Sequence, residues 1–147
     1  MIVALHRLAD PVTSIFRIVI GLLFTLRGIA SIFGVLGGHR GSGQAVEFAV
    51  WPTWWAALIQ LVGGLLVLVG LGTRIAAIVC SGSMAYAYFV VHQPEALLPQ
   101  QNGGELAALF CWSFLLVAIL GPGKWAVESL MSRRREEERS PALATAS

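Results

Sequence analysis

Four stretches of almost uninterrupted apolar residues dominate the chain, and short segments rich in glycine, proline and charge separate them. The stretches lie near residues 14–36, 53–72, 74–92 and 105–121. A helix needs about 20 predominantly apolar residues to cross a hydrocarbon core of roughly 30 Å. The pattern therefore predicts an all-α fold, an integral membrane four-helix bundle that occupies residues 1–124.

Small residues recur at helical spacing inside these stretches. In the first stretch Gly21, Phe24 and Gly28 fall on one face, and in the second Gly63 and Gly64 do so. Small residues let helix backbones approach closely where lipid gives no hydrophobic drive for association. Each stretch is therefore predicted to have an inward face.

Composition supports the same class of protein. Of the 147 residues 56% are hydrophobic and 12% are charged, and the mean hydropathy is +0.75. The segments outside the apolar stretches are too short to form an independent core, which excludes a separate soluble catalytic domain. The sequence has no basic patch interleaved with aromatic residues, the pattern that would indicate nucleic-acid binding. The expected environment is the bilayer of the cell (plasma) membrane.

The distribution of positive residues predicts the orientation, because lysine and arginine stay on the cytoplasmic side. Both termini are predicted to be cytoplasmic, with outer loops at 37–52 and 93–104. Arg40 lies in the first of these loops and is the one lysine or arginine in either. A cleaved signal peptide is the alternative for the first stretch, but Arg17 and Arg27 interrupt its apolar region. The residues assigned to the cytoplasmic side are Arg7, Arg17, Arg74, Lys124, Arg133, Arg134, Arg135 and Arg139.

Arg27 is the residue that most needs a partner, since arginine at membrane depth costs roughly 3 kcal/mol on insertion scales. By helical rise, Arg27 and Gln60 lie roughly 10 Å below the outer boundary. We therefore predict a polar cluster in the outer half of the bundle, with Glu105 as counter-ion to Arg27. Its members are Arg27, Gln60, Tyr88, His92 and Glu105.

A structural interpretation of the same residues stays open. His92 and Glu105 at helix ends fit solvated interface positions, and Gln60 fits a hydrogen bond between helices. Tyr88 fits an aromatic belt at the membrane interface, as do Trp51, Trp54 and Trp55.

No motif predicts a catalytic residue or a metal site. Cys80 and Cys111 are expected roughly 12 Å apart along the bundle, too far for a disulfide. His6, His39 and His92 fall in different regions, and no metal-ligand spacing recurs. The glycine run at 37–43 lacks the context of a phosphate loop and is predicted to be a flexible outer linker.

Sequence signals bracket the fourth stretch. Asn102 precedes it and can cap the helix, with Glu105 in the first turn. The run Gly121-Pro122-Gly123 ends it. Residues 125–147 are predicted to form a short interfacial helix followed by a flexible cytoplasmic tail.

Three segments resemble the DoxX family of small four-span membrane proteins. They are "RIVIGLLFTLRGIASIFG" at 17–34, "GGLLVLVGLGTRIAAIVCSGSMAYAYFVVH" at 63–92 and "NGGELAALFCWSFLLVAILGPGKW" at 102–125. The resemblance implies a four-helix bundle and an association with membrane redox systems, including a thiosulfate:quinone oxidoreductase. Matching positions are Gly21, Phe24, Gly28, Gly64, Gly70, Arg74, Met84, Ala87, Tyr88, His92, Asn102, Gly103, Gly104, Glu105, Gly121, Pro122 and Gly123.

The chain also departs from the family pattern. Relatives often have histidine at the position of Arg27, lysine near Ser31 and glutamate at Gln60. Because arginine does not titrate usefully and glutamine does not titrate, these changes argue against an inherited proton-handling role. His92 is the one group of the cluster able to change charge near neutral pH.

The leading hypothesis is a membrane subunit of a redox or quinone-associated complex. A quinone would accept hydrogen bonds from Arg27, Gln60 or His92, and Phe24, Tyr88 and Trp112 would flank its ring. A protein partner would supply electrons, because the sequence has no flavin, haem or iron–sulfur motif. The alternatives are a non-catalytic scaffold that recruits soluble oxidative-stress or redox proteins, and a small dimeric transporter that depends on Glu105. The sequence leaves the quinone, the donor, the partner and any homo-oligomer unspecified.

Overall fold

A computed structural model describes residues 2–132 and 134, with side chains described from Asp10 onward. Every regular element in this part of the chain is helical. The flexible tail predicted for the C-terminal residues lies beyond the part of the chain that the structure describes. The helices are α1 (Ile2–Phe33), α2 (Thr53–Val69), α3 (Thr73–Tyr86) continued by a π-helix (Ala87–His92), α4 (Pro99–Asn102), α5 (Glu105–Leu120) and α6 (127–132), with a 3₁₀ turn at His39–Gly41.

The four long helices coincide with the four apolar stretches. Two segments, Asp10–Phe33 and Thr73–His92, are long and apolar enough to cross a membrane by length and composition. The other two, α2 and α5, are apolar but shorter, with 17 and 16 residues. At 1.5 Å per residue, α5 is about 24 Å long, below the 30 Å assumed in the sequence analysis.

Aromatic side chains form the centre of the packing between these helices. The Phe24 ring is fully buried, 5.1 Å from the Phe110 ring and 4.6 Å from the Phe114 ring, measured between centroids. The most extensive helix contacts join α1 to α2 and α3 to α5, while α2 lies beside α3. The predicted inward position of Phe24 is confirmed.

Glycines bring α1 and α2 into backbone contact. A methyl group at Gly21 would lie 2.7 Å from the Leu68 backbone nitrogen, and one at Gly64 would lie 2.7 Å from that of Thr25. A methyl group at Gly28 would collide with the backbone of Leu61. The predicted packing role of these three glycines is confirmed.

Arg17 is the most consequential buried residue, and its side chain is fully inaccessible to solvent. Its guanidinium donates to Pro122 O (2.8 Å), Leu68 O (2.7 Å), Trp125 O (2.8 Å) and Val67 O. These bonds connect α1, the end of α2 and the segment after α5. The sequence predicts Arg17 on the cytoplasmic flank of the first span and on the same helix face as Gly21 and Phe24, but it does not predict these carbonyl partners.

The carbonyls that Arg17 contacts are ones that need an external donor. Val67 and Leu68 are in the last turn of α2, where backbone carbonyls have no intrahelical partner. A cation near the negative end of a helix is also favourable. A guanidinium has five N–H donors in a planar fork, so one side chain satisfies several carbonyls at once.

The segment after α5 completes this end of the structure. Gly121 ends α5, as predicted, and the chain then runs back over the α2–α3 turn. Ala126 is fully buried against Gly70, the Glu128 N–H donates to Gly70 O (3.1 Å), and the Thr73 N–H donates to Glu128 Oε2 (3.3 Å). Residues after 124, the predicted end of the bundle, therefore pack on the turn between α2 and α3.

Replacement of Arg17 tests its role. Arg17→Gln leaves buried carbonyls without donors, each costing about 1–3 kcal/mol. We expect unfolding to be easier by about 3 kcal/mol or more, measured by thermal or denaturant unfolding in detergent. Arg74→Gln, which changes an exposed arginine at the same end, is the control and should stay close to wild type. Equal stability of the two variants would contradict the role assigned to Arg17.

A pair of glycines tests the contact between Ala126 and the α2–α3 turn. Gly70 and Gly72 both have left-handed backbones, with φ of 76° and 57°. A methyl group at Gly70 would lie 2.5 Å from Ala126 Cβ, whereas one at Gly72 meets nothing within 4 Å. Both alanine variants bear the left-handed strain, about 1–2 kcal/mol. We expect Gly70→Ala to lower the unfolding midpoint clearly further, and equal midpoints would refute the contact.

Candidate functional site

A cavity of about 870 Å³ opens between α1, α2, α3 with its π-helix, and the start of α5. It lies at the opposite end from Arg17, because Arg27 is ten residues, or about 15 Å, further along α1. The polar residues that line it are Arg27, Ser31, His39, Arg40, Thr53, Gln60, Ser83, His92, Glu95 and Asn102.

The structure brings together three of the five residues predicted for the cluster. Arg27, Gln60 and His92 line the cavity, whereas Tyr88 and Glu105 do not. Glu105 is exposed in the first turn of α5, and within the described residues Lys124–Asp10 (2.8 Å) is the one ion pair. The predicted Arg27–Glu105 pair is therefore wrong, and Glu95 is the carboxylate residue at the cavity.

Helix geometry explains why Glu105 points elsewhere. Glu105, Leu109 and Trp112 are spaced i, i+4, i+7, so they share the outer face of α5, and all three are exposed. The face of α5 toward the cavity carries Leu106 and Phe110 instead. The prediction used only the height of Glu105 along the bundle, and height does not specify which face of α5 a residue occupies.

Tyr88 lies beside His92 but does not line the cavity, because its ring is turned toward the start of α5. A methyl group at Gly104 would lie 2.9 Å from the Tyr88 ring and 3.0 Å from His92 Cβ. The π-helix is closed by a bond between residues five apart, in which the Gln93 N–H donates to Tyr88 O (2.8 Å). The Tyr88 ring packs on Phe89, with centroids 5.3 Å apart, and Tyr86, Ala87 and Val91 line the cavity.

Asn102 fixes the position of His92. His92 Nδ1 donates to Asn102 O (2.9 Å), since a carbonyl only accepts, and this leaves Nε2 as an acceptor in the neutral ring. The Asn102 side chain donates to Ala96 O and accepts from the Gly104 N–H, both at 2.8 Å. The predicted capping of α5 by Asn102 is wrong, because Gly104 occupies the cap position and Asn102 ends α4.

The glycine-rich loop after α1 forms part of the site. It is hydrogen-bonded rather than a free linker: the His39 N–H donates to Gln44 O (2.9 Å) and the Val46 N–H to Ser31 O (2.8 Å). Ser31 Oγ and His39 Nδ1 are 3.1 Å apart. His39 and His92 thus line one cavity, although they were predicted to lie in different regions. The signal missed was the dense glycine run, which permits the positive φ angles of a tight loop.

The electrostatics of the loop favour a neutral His39. Burial lowers the pKa of His39 below its usual value of 6.5, and the nearby charges of Arg40 and Arg27 lower it further. Arg27 and Arg40 are therefore the fixed positive charges of the cavity. Within the part of the chain that the structure describes, the Arg27 side chain makes no hydrogen bond or ion pair, which leaves its donors available to a ligand.

Aromatic residues form the apolar walls, but they are not those predicted. Trp51, Trp55, Tyr86 and Phe110 line the cavity, with Trp51 and Tyr86 in edge contact at 5.8 Å. Phe24 is buried in the core and Trp112 is 71% exposed on the outer face, so neither flanks the site.

The cysteines lie outside the cavity, and both are free. Ser81, which follows Cys80, donates to Cys111 O (2.8 Å). The two cysteines are therefore close in depth, and the predicted 12 Å separation was too large because α5 is shorter than assumed. Within residues 10–132, no group of three or more histidine, cysteine, aspartate or glutamate side chains is arranged to hold a metal ion.

Apolar helices packed through glycines around a polar cavity define an all-helical membrane protein. Residues 12–93 match the sequence model of the DoxX family, and the chain belongs to that family. The resemblance noted from its motifs is thus confirmed. The matched range ends before α4 and α5.

Two relatives extend the comparison. An uncharacterized protein of Haemophilus influenzae is 35% identical over 120 residues, covering 77% of this chain and 85% of the relative. The inner membrane protein YqjF of Escherichia coli is 28% identical over 138 residues, covering 88% of this chain and 99% of YqjF. No solved structure gives a significant match.

Proposed function

We propose that this protein is a four-span membrane subunit of a quinone-linked redox complex, and that its cavity binds the quinone headgroup. The observation that carries the proposal is the composition of the cavity. Hydrogen-bond donors on Arg27 and Gln60 face a space walled by Trp51, Trp55 and Phe110. A planar ring with carbonyl groups suits such a site, because polar groups fix its orientation and aromatic walls hold its faces.

Arg27 is the central residue of the proposed site. Its guanidinium is charged at every physiological pH, so it donates to a quinone carbonyl and stabilises negative charge on that oxygen during reduction. It does not exchange protons. The electrons come from a partner protein, since the chain has no sequence motif for a redox cofactor.

His92 is the group that passes protons to the quinone in this proposal. The bond from Nδ1–H to Asn102 O fixes the ring and leaves Nε2 as a free acceptor at the cavity. Reduction of a quinone to a quinol takes up two electrons and two protons, so a proton donor at the headgroup is useful.

We propose further that both termini face the cytoplasm. Arg17, Lys124 and the α2–α3 turn carrying Arg74 share one end of the structure, linked through Pro122, and Arg40 is at the other end. This division matches the distribution expected of positive residues in membrane proteins. The short helices α2 and α5 are accommodated by local thinning of the bilayer and by their flanking residues.

Reporter fusions test the orientation. Alkaline phosphatase is active only outside the cytoplasm, so a fusion after Gln101 should be active and a fusion after Ser132 inactive. A cytoplasmic reporter should give the opposite pattern at both positions. Phosphatase activity at Ser132 without activity at Gln101 would contradict the proposed orientation.

Quinone binding tests the site. In nanodiscs, quenching of tryptophan fluorescence reports binding, because Trp51 and Trp55 line the cavity. A hydrogen bond to a charged group is worth about 1.5–3 kcal/mol, so Arg27→Gln should weaken binding of a ubiquinone or menaquinone analogue at least tenfold. Arg74→Gln is the matched control and should bind as wild type.

Two results would count against the proposal: no saturable quinone binding by wild type, or equal affinity of the two arginine variants. The scaffold alternative predicts the second result together with loss of a partner on tail deletion. That deletion should begin after Ser132, because a cut after Lys124 also removes Ala126 and Glu128, which pack on the α2–α3 turn.

A further inference from the structure

A second cavity, of about 510 Å³, runs along the outer surface between α2 and α3. Every residue that lines it is apolar or glycine, in contrast to the polar cavity. Leu58 and Leu66 mark its extent along α2, about 12 Å at the helical rise, and the Leu71–Gly72 turn closes its far end. We refer to this second cavity as the α2–α3 groove.

The α2–α3 groove adjoins the polar cavity. Ile59 on α2 and Val79 on α3 line both. The two spaces are therefore neighbours across this pair of side chains, and a molecule that occupied both would pass beside Ile59 and Val79. A polar end in the first space and an apolar extension in the second describe a ligand with a headgroup and a tail.

Gly63 shapes the floor of the groove. A methyl group at this position would collide with Cys80 Sγ, so the glycine lets α3 approach α2 closely. Val62 and Ile75, which are 48% and 74% exposed, form the rims on the two helices. A floor between two raised rims suits a single linear chain.

We infer that the ligand of the polar cavity carries one polyprenyl side chain, and that this chain lies in the α2–α3 groove. The inference rests on the proposed function and specifies its ligand as a long-chain isoprenoid quinone. The groove begins where the headgroup site ends, and its uniformly apolar lining matches a hydrocarbon chain. One continuous groove favours a single-chain quinone over a lipid with two acyl chains.

Matched variants test this inference in nanodiscs of fixed lipid composition. Val62→Phe fills the groove, whereas Leu65→Phe enlarges a residue of α2 that is equally exposed, at 48%, but lies outside both cavities. The probes are a ubiquinone ring with no side chain and the same ring with two isoprene units. Because a longer tail also concentrates the quinone in the bilayer, each variant is compared with wild type for the same probe.

We expect Val62→Phe to weaken binding of the long-tailed probe about tenfold and to leave the tail-free probe unchanged. Leu65→Phe should bind both probes as wild type does. The inference is overturned if both variants bind the long-tailed probe equally, which would mean that bulk lipid fills the groove. That result leaves the headgroup proposal intact, whereas failure of both probes to bind wild type removes the headgroup proposal too.

Ile75→Phe and Ile78→Phe provide a second pair on α3, in case Val62→Phe does not fold. Ile75 lines the groove and Ile78, which is 58% exposed, does not. The same selective loss, confined to Ile75→Phe and the long-tailed probe, is expected. Equal binding of that probe by both α3 variants would overturn the inference.

Discussion

The fold depends on one buried cation, the guanidinium of Arg17. It donates to four backbone carbonyls, at the end of α2 and in the segment after α5, and no acidic side chain takes part in these bonds. Carbonyls that have no partner inside a helix are costly in an apolar environment, and a buried arginine is costly as well. Here the guanidinium supplies the hydrogen-bond donors that the carbonyls lack, and the carbonyls supply acceptors around its charge. The turn between α2 and α3 and the chain after α5 are held in place as a result.

A second arginine on the same helix, Arg27, has no such hydrogen-bond partners in the described part of the chain. Arg27 lies about 15 Å further along α1 and lines a cavity, and its side chain makes no hydrogen bond to any residue that the structure describes. Arginine inside apolar segments is usually either structural or functional. Arg17 has the structural role in this chain, and the proposed function gives Arg27 the functional one. The hydrogen bonds of Arg17 join the helices at one end of the structure, and the polar cavity lies between the helices at the other end.

Much of this was predictable from sequence, and the failures have physical causes. Apolar stretches located the four long helices, and glycine spacing located the α1–α2 contact through Gly21 and Gly28. The height of each residue along its helix predicted that Arg27, Gln60 and His92 would lie together, and all three line the cavity. The same reasoning failed for Tyr88, whose ring packs on Phe89 and against Gly104, and for Glu105, which lies on the exposed face of α5, because depth does not specify a helix face. The role of Arg17 was missed because its partners are backbone carbonyls, which leave no complementary residue in the sequence.

The central claim is that the cavity lined by Arg27 holds a quinone headgroup. Photolabelling tests it most directly: a quinone with a photoreactive ring is crosslinked to the protein in nanodiscs, and the labelled residues are identified by mass spectrometry. The account predicts labels on cavity residues such as Trp51, Trp55 and Tyr86, displaced by excess unlabelled quinone and reduced in Arg27→Gln. Labels confined to the outer surface, for example at Trp112, or unaffected by competition, would contradict it.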